Sequence, residues 1–281
     1  VIDATNVRQA DRHEWIELAR RWHALPVAIV LDPGLEVCVA HNRQRPDRAF
    51  GARVPKRMIE EIHRGLPRLQ REGFRRVWTL NSLAAIDAVR VERAPLYNDL
   101  RREPGPFDII GDVHGCADEL RELMLRLGYT IDGEGDDIRV ASPAGRKLVF
   151  VGDLVDRGPK TPEVLRIAMA ADAAGCGLFV PGNHDQKLGR WLDGRNVTVN
   201  HGLQSSLDQL AGESPAFMAR LRAFLGTLRS HYWLAGGSLA VAHAGLREEM
   251  IGRASSTVRD FALYGDTAGA SDDHGLPLRP N

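Results

Sequence analysis

Four short apolar segments in this chain each run straight into a glycine-flanked polar cluster, and this arrangement limits the fold more than any other feature. Phe107-Asp-Ile-Ile110 leads into Gly111-Asp112-Val113-His114-Gly115, and Lys147-Leu-Val-Phe-Val151 into Gly152-Asp153-Leu154-Val155-Asp156-Arg157-Gly158. Gly177-Leu-Phe-Val180 leads through Pro181 into Gly182-Asn183-His184-Asp185, and Ser238-Leu-Ala-Val-Ala242 into His243-Ala244-Gly245. Short apolar runs bounded by glycine or proline read as buried strands. Helical spacing predicts helices over about residues 116–127, 161–174, 184–192 and 215–228. Strands alternating with helices imply an α/β fold with a parallel sheet, whose sites form on the loops after the strands.

The donors on those loops suit one chemistry. Asp112, His114, Asp153, Asn183 and His243 supply hard oxygens and imidazole nitrogens, the mixture that a pair of divalent ions takes. A lone Gly-Asp is ordinarily a turn, and a lone histidine after a strand is ordinarily a core residue. Four such clusters, each following an apolar strand, point instead to a two-metal centre. Two adjacent cations neutralise phosphate oxygens and lower the pKa of a coordinated water, so the chemistry expected is phosphoester hydrolysis.

A second block precedes these motifs. Val27–Leu31, bounded by Pro26 and by Asp32-Pro33-Gly34, and Phe74–Leu80 read as strands. Residues 55–70 have helical spacing, and Val1-Ile-Asp3-Ala-Thr5-Asn6 reads as a further strand. His41–Arg48 reads as a basic loop carrying Arg43, Arg45 and Arg48. Glu103-Pro104-Gly105-Pro106 interrupts the pattern, so domains are expected at 1–103 and 104–281.

The formal net charge is zero, which leaves no global basic excess to attract nucleic acid, although a local groove would suffice. Three cysteines far apart argue against a disulfide framework or a cysteine zinc site. With no apolar run long enough to span a bilayer, a cytoplasmic protein without a membrane partner is expected.

The three longer motifs resemble G-D-x-H-G, G-D-x-x-D-R-G and G-N-H-D/E of the calcineurin-like metallophosphoesterases. The long second motif is similar to the branch holding protein serine/threonine phosphatases and diadenosine tetraphosphate hydrolases. The resemblance implies a β-sandwich flanked by helices, and two divalent ions, Mn2+ foremost with Fe, Zn, Ni or Co as alternatives. It implies that Asp112 and His114 bind one ion, that Asp153 bridges, and that Asn183 and His243 bind the other. His184 would be the general acid, oriented by Asp156, and Arg157 would grip the phosphate. The family pattern closes with another histidine, in G-H-T or G-H-x-H. Only His274, in a different setting, follows His243, so the chain is read as ending before that ligand.

The first block resembles the C-terminal part of a P-loop kinase, with Arg43, Arg45 and Arg48 as a nucleotide lid. No G-x-x-x-x-G-K-S/T occurs, so a P-loop is expected upstream. A kinase-like block joined directly to a phosphoesterase is similar to the bacterial polynucleotide kinase–phosphatases of RNA repair. Glu72-Gly-Phe-Arg75, Glu92-Arg-Ala-Pro-Leu-Tyr-Asn98 and Leu263-Tyr-Gly-Asp-Thr267 carry that likeness. It implies RNA ends as substrate, with removal of 2′- or 3′-phosphate or 2′,3′-cyclic phosphate. It further implies ATP and Mg2+ for the kinase of a longer parent, a downstream ligase-like domain and an RNA 3′-end methyltransferase partner. Two other readings stay open. One is a protein or diadenosine tetraphosphate phosphatase with an accessory first block; the other is a non-catalytic RNA- or nucleotide-binding scaffold.

Overall fold

Pairing of the apolar segments organises the chain into two units, Val1–Ala94 and Pro95–Asn281, in a computed structural model that describes residues 1–45 and 50–266. Arg48, Thr267 and His274 lie outside the described residues. Among the described residues no helix is long and apolar enough to cross a membrane. The division after Ala94 lies upstream of the Pro-Gly-Pro segment where the pattern breaks.

The first unit contains α1 (Gln9–Arg21), β1 (Val27–Leu31), α2 (Leu35–Arg43), α3 (Arg53–Gly65), α4 (Leu69–Glu72), β2 (Arg76–Leu80) and α5 (Leu83–Ala88). β1 and β2 pair in parallel, as their alternation with helices requires, with Val27 opposite Arg76 and Leu31 opposite Leu80. Three expectations are corrected. Val1–Asn6 form no strand; at the end of this segment the Asn6 and Val7 carbonyls accept hydrogen bonds from the Arg12 guanidinium (3.0 and 2.8 Å) at the start of α1. Arg12 also forks onto Glu72 through two 2.8 Å bonds, which ties α1 to α4. His41 and Arg43 end a helix rather than sit in a loop: Leu35 to Arg43 has helical spacing, and Gly34 (φ 94°) supplies the turn that starts it. Arg43 and Arg45 are exposed. The helix expected over residues 55–70 breaks at Leu66-Pro67 into a 3-10 turn, because proline has no N–H to continue the ladder.

The second unit runs through β3 (Phe107–Ile110), α6 (Ala117–Arg126), β4 (Thr130–Asp132), β5 (Arg139–Ala141), β6 (Lys147–Phe150), α7 (Thr161–Ala173), β7 (Gly177–Phe179), α8 (Asn183–Leu192), α9 (Leu203–Leu210), α10 (Pro215–Thr227), β8 (His231–Leu234), β9 (Leu239–Ala242) and α11 (Ser256–Tyr264). β3, β6 and β7 make a parallel sheet with β6 central, which is why Leu148, Val149 and Phe150 are all fully buried. Alternation then assigns the faces. Leu148, Phe150 and Phe179 join a core with Met124 of α6, Ile167 of α7, Leu188 of α8 and Phe217 of α10. Val149 and Val180 meet Tyr232, Leu234 and Val241 of the antiparallel β8–β9 pair. Two sheets thus pack face to face with helices outside, and the C-terminal ends of β3, β6 and β7 present their loops on one edge.

His231 is fully buried in β8. The Asn98 amide (2.8 Å) and the Gly252 N–H (2.9 Å) both donate to its Nε2. Burial pushes its pKa down to about 4, and adding a proton at Nε2 would set it against two donors. A group with a depressed folded pKa contributes stability that is present above about 6.5 and lost as pH falls toward about 4. We expect up to about 3 kcal/mol of acid destabilisation from this residue. His231→Gln should show a flatter loss of unfolding free energy between neutral and acid pH, measured in urea. An unchanged slope would refute the assignment.

Candidate metal centre

Two of the three loops at the sheet edge are built around strained backbone. His114 (φ 45°), Asp153 (φ 49°), Asp156 (φ 72°) and Arg157 (φ 67°) all occupy left-handed conformations. Each such residue costs on the order of 1–3 kcal/mol and persists only where surrounding contacts hold it. Those contacts are present. The His114 and Val113 N–H groups bond the Asp153 carbonyl (2.8 and 3.1 Å), and the Gly158 N–H bonds the His114 carbonyl (2.9 Å), so the first two motifs lock together. Gly182 makes the closest approach: a Cβ built there would lie 1.9 Å from Asp153 Oδ1. Gly182→Ala should therefore push the carboxylate out of place and weaken divalent-metal binding at least about tenfold, which calorimetric titration would measure.

The side chains converge. Asp153 Oδ2 lies 3.7 Å from His114 Nε2, 3.7 Å from His243 Nε2 and 4.0 Å from His184 Nε2. Asp112 Oδ2 is 4.0 Å from His114 Nε2, and Asn183 Oδ1 is 3.2 Å from His243 Nε2. Potential ligand atoms of Asp112, Asp153 and His243 all lie within 4.8 Å of one another, as do those of His114, Asp153 and His184. Seven residues singled out in the sequence therefore meet at one place: Asp112, His114, Asp153, Asp156, Asn183, His184 and His243. Arg157 is exposed beside them, and its charge reaches His184. Arg43 and Arg45 belong to the other unit.

The protons on the rings are decided by backbone carbonyls. His114 Nδ1–H donates to the Val155 carbonyl and His243 Nδ1–H to the Val151 carbonyl, both at 2.8 Å. Each Nε2 is thereby left as a lone pair aimed at carboxylate or amide oxygen. His114 Nε2 is buried with no hydrogen-bond partner among the described residues. Lone pairs facing lone pairs in a buried cluster need a cation between them, so the donor set fits divalent metal. Asp112, His114, Asp153, Asn183 and His243 are the residues that would hold it.

His184 and Asp156 make a buried pair. His184 Nδ1 lies 2.6 Å from Asp156 Oδ2, and Asp156 is completely buried. Asp156 is not in a surface ion pair with Arg157; its other oxygen accepts from Ser206 Oγ at 2.6 Å. The hydrogen bond that the His184 ring donates to Asp156 raises the His184 pKa above its usual value, burial opposes it, and the Asp153 and Asp156 charges reinforce it.

Two supporting residues were not apparent as such in the sequence. Asp185 stands in the Gly-Asn-His-Asp motif, and its carboxylate accepts the Leu154 and Gly182 N–H groups at 2.9 Å each, splinting the second and third loops. Burial pushes its pKa up to about 7, against those two donors. Its spacing from Gly182, three residues before it at the start of α8, was the available signal. Ser206, on α9, had none.

Comparison with known proteins agrees with this geometry. Residues 105–253 match the calcineurin-like phosphoesterase family, and residues 1–69 match an AAA domain. A bis(5'-nucleosyl)-tetraphosphatase PrpE of Bacillus subtilis is 42% identical over 177 residues, covering 62% of this chain and 71% of the relative. That of a Geobacillus species is 40% identical over the same shares. A solved structure assigned as a diadenosine tetraphosphatase aligns at 26% identity with a TM-score of 0.38, over 53% of this chain and 54% of that one. These relatives bear the name of a tetraphosphatase, not of a polynucleotide kinase–phosphatase. The matched length spans more than half of the chain and includes all the convergent motifs, so the chain belongs to the calcineurin-like phosphoesterase family and is a phosphoric ester hydrolase.

Proposed function

We propose that the second unit removes terminal phosphate from RNA ends, as 2′- or 3′-phosphate or 2′,3′-cyclic phosphate, alongside the kinase-like first unit of a longer parent. The observation that carries this reading is the order of the two matches in one chain, an AAA domain at 1–69 ahead of the phosphoesterase at 105–253. A unit of a phosphate-transferring class joined to one that removes phosphate suits a substrate with two distinct ends, one to be phosphorylated and one to be cleared.

In this reading Asp112 and His114 would hold one ion, Asn183 and His243 the other, and Asp153 would contribute to both. Mn2+ is the first choice, with Fe, Zn, Ni and Co as alternatives. When bound, the pair supplies charge neutralisation of the phosphate and activation of water. The protein's own groups do the rest. Asp156 fixes the His184 ring through Nδ1, leaving Nε2 toward the cluster, 4.0 Å from Asp153, where its proton can reach the leaving oxygen. Arg157, exposed at the rim, offers its planar fork to phosphate oxygens. Arg43, Arg45 and Arg48 would serve the kinase of the parent with ATP and Mg2+; a ligase-like domain and an RNA 3′-end methyltransferase belong to the same reading.

A second reading, cleavage of dinucleoside tetraphosphates, is favoured by the names of the relatives at up to 42% identity. Measuring kcat/KM side by side on a 3′-phosphorylated oligoribonucleotide, its 2′,3′-cyclic form and diadenosine tetraphosphate, with Mn2+, separates the two. Preference for the RNA ends is expected; preference for the dinucleotide would overturn the first reading in favour of the second.

A further inference from the structure

The loop that carries Asp156 and Arg157 is gripped from outside by α9, and we infer that Ser206 on that helix is a positioning residue for the Asp156–His184 pair. The inference rests on the reading of His184 as proton donor given above. Ser206 is completely buried and uses its hydroxyl in both directions. It accepts the Asp156 backbone N–H at 2.8 Å and donates to Asp156 Oδ1 at 2.6 Å. One side chain therefore fixes both the backbone and the carboxylate of the same aspartate. Since that single hydroxyl proton goes to Asp156, the Thr161 hydroxyl at 3.4 Å must act as donor to Ser206.

The carboxylate has its two oxygens divided between two partners, Ser206 on Oδ1 and His184 on Oδ2. Removing the first frees the carboxylate to rotate about its terminal bond, a soft torsion, and so releases its aim at the ring. Gln209, one turn further along α9, secures the same loop. Its amide donates to the Gly158 carbonyl at 2.9 Å and its carbonyl accepts the Thr161 N–H at 2.7 Å. The left-handed conformations of Asp156 and Arg157 lie between these two holds. Ser206 itself touches none of the metal-ligating atoms, so its effect must pass through Asp156.

The leaving group exposes this role. Phenyl phosphate needs a proton on the departing oxygen; 2,4-dinitrophenyl phosphate does not. In the Mn2+-loaded full chain, Ser206→Ala is expected to lower kcat about tenfold on phenyl phosphate and by no more than about twofold on dinitrophenyl phosphate. Ser206→Cys, close in volume but a weak donor, should show the same selective loss and guards against a folding failure of the alanine variant. Adding Ser206→Ala to Asp156→Asn should cost nothing further in this assay. Equal losses on both substrates, no loss on either, or additive effects with Asp156→Asn would overturn the inference. His184→Asn is run in parallel. If it shows the leaving-group selectivity and the Ser206 variants do not, Ser206 alone is excluded. If it lacks that selectivity, the proton-donor reading falls and takes this inference with it.

Discussion

Asp153→Asn is expected to lower turnover on the order of 10³-fold and to reduce bound metal below two ions per chain. Asp153 is the one carboxylate common to both groups of convergent ligand atoms, and it is only 4% exposed. The substitution is nearly isosteric. Asp153 Oδ1 accepts the His184 backbone N–H at 3.1 Å, and an asparagine oxygen can keep that bond. What disappears is the negative charge at Oδ2, which faces three imidazoles at 3.7 to 4.0 Å. Without it, two cations would repel each other across a gap with no shared anion to screen them. Elemental analysis of the purified variant and steady-state kinetics check the two halves of the claim. A variant with full metal content and near-normal turnover would remove Asp153 from the bridging position.

His184→Asn should lower kcat by about 10²- to 10⁴-fold for substrates with poor leaving groups. The pH dependence tests the same residue more finely. The hydrogen bond to Asp156 holds the His184 pKa above 6.5, so the imidazolium persists to higher pH than in a free histidine. A group raised in this way contributes stability in full below its unfolded value and loses it as pH rises through the folded one. Activity that depends on the proton follows the same direction, falling on the alkaline side above 6.5. Asp156→Asn removes the largest cause of the shift while burial continues to press downward. The alkaline limb of the kcat profile should therefore move to lower pH in that variant. A limb that stays in place would mean that another group sets it.

Much of the centre was legible in the sequence because its chemistry is carried by rare residue types in fixed order. Each such motif alone has an ordinary structural use, as a turn or a core histidine, but four together after apolar strands do not. The faces of β6 were harder to assign, since Leu148, Val149 and Phe150 are all buried and show no alternation. Ser206 could not be found at all. Serine is common on helices, and its partner lies fifty residues away, across a tertiary contact that no local pattern encodes. The β4–β5 hairpin escaped for a related reason: three-residue strands are too short for a period to show. The start of the basic segment His41–Arg48 departs from the expected loop, because charge density says nothing about backbone; α2 carries His41 and Arg43 through its last turn, where positive side chains also suit the helix dipole. Val1–Asn6 has the composition of a strand, but a strand is a relation with a neighbour, and among the described residues none pairs with it.

The carbonyls of Val151 and Val155 bond imidazoles that come from two other segments of the chain, one after β9 and one after β3. Between those carbonyls lies Asp153, and just beyond them Asp156. A stretch of six residues thus acts as the jig for the whole centre, setting ring angles and tautomers and carrying both carboxylates that reach His184, Asp153 and Asp156, at once. Variation there cannot retune one ligand while sparing the rest. Evolution or design seeking a different metal or substrate from this scaffold would find room in the surrounding helices and rim, and would have to replace this stretch as a single piece or leave it untouched.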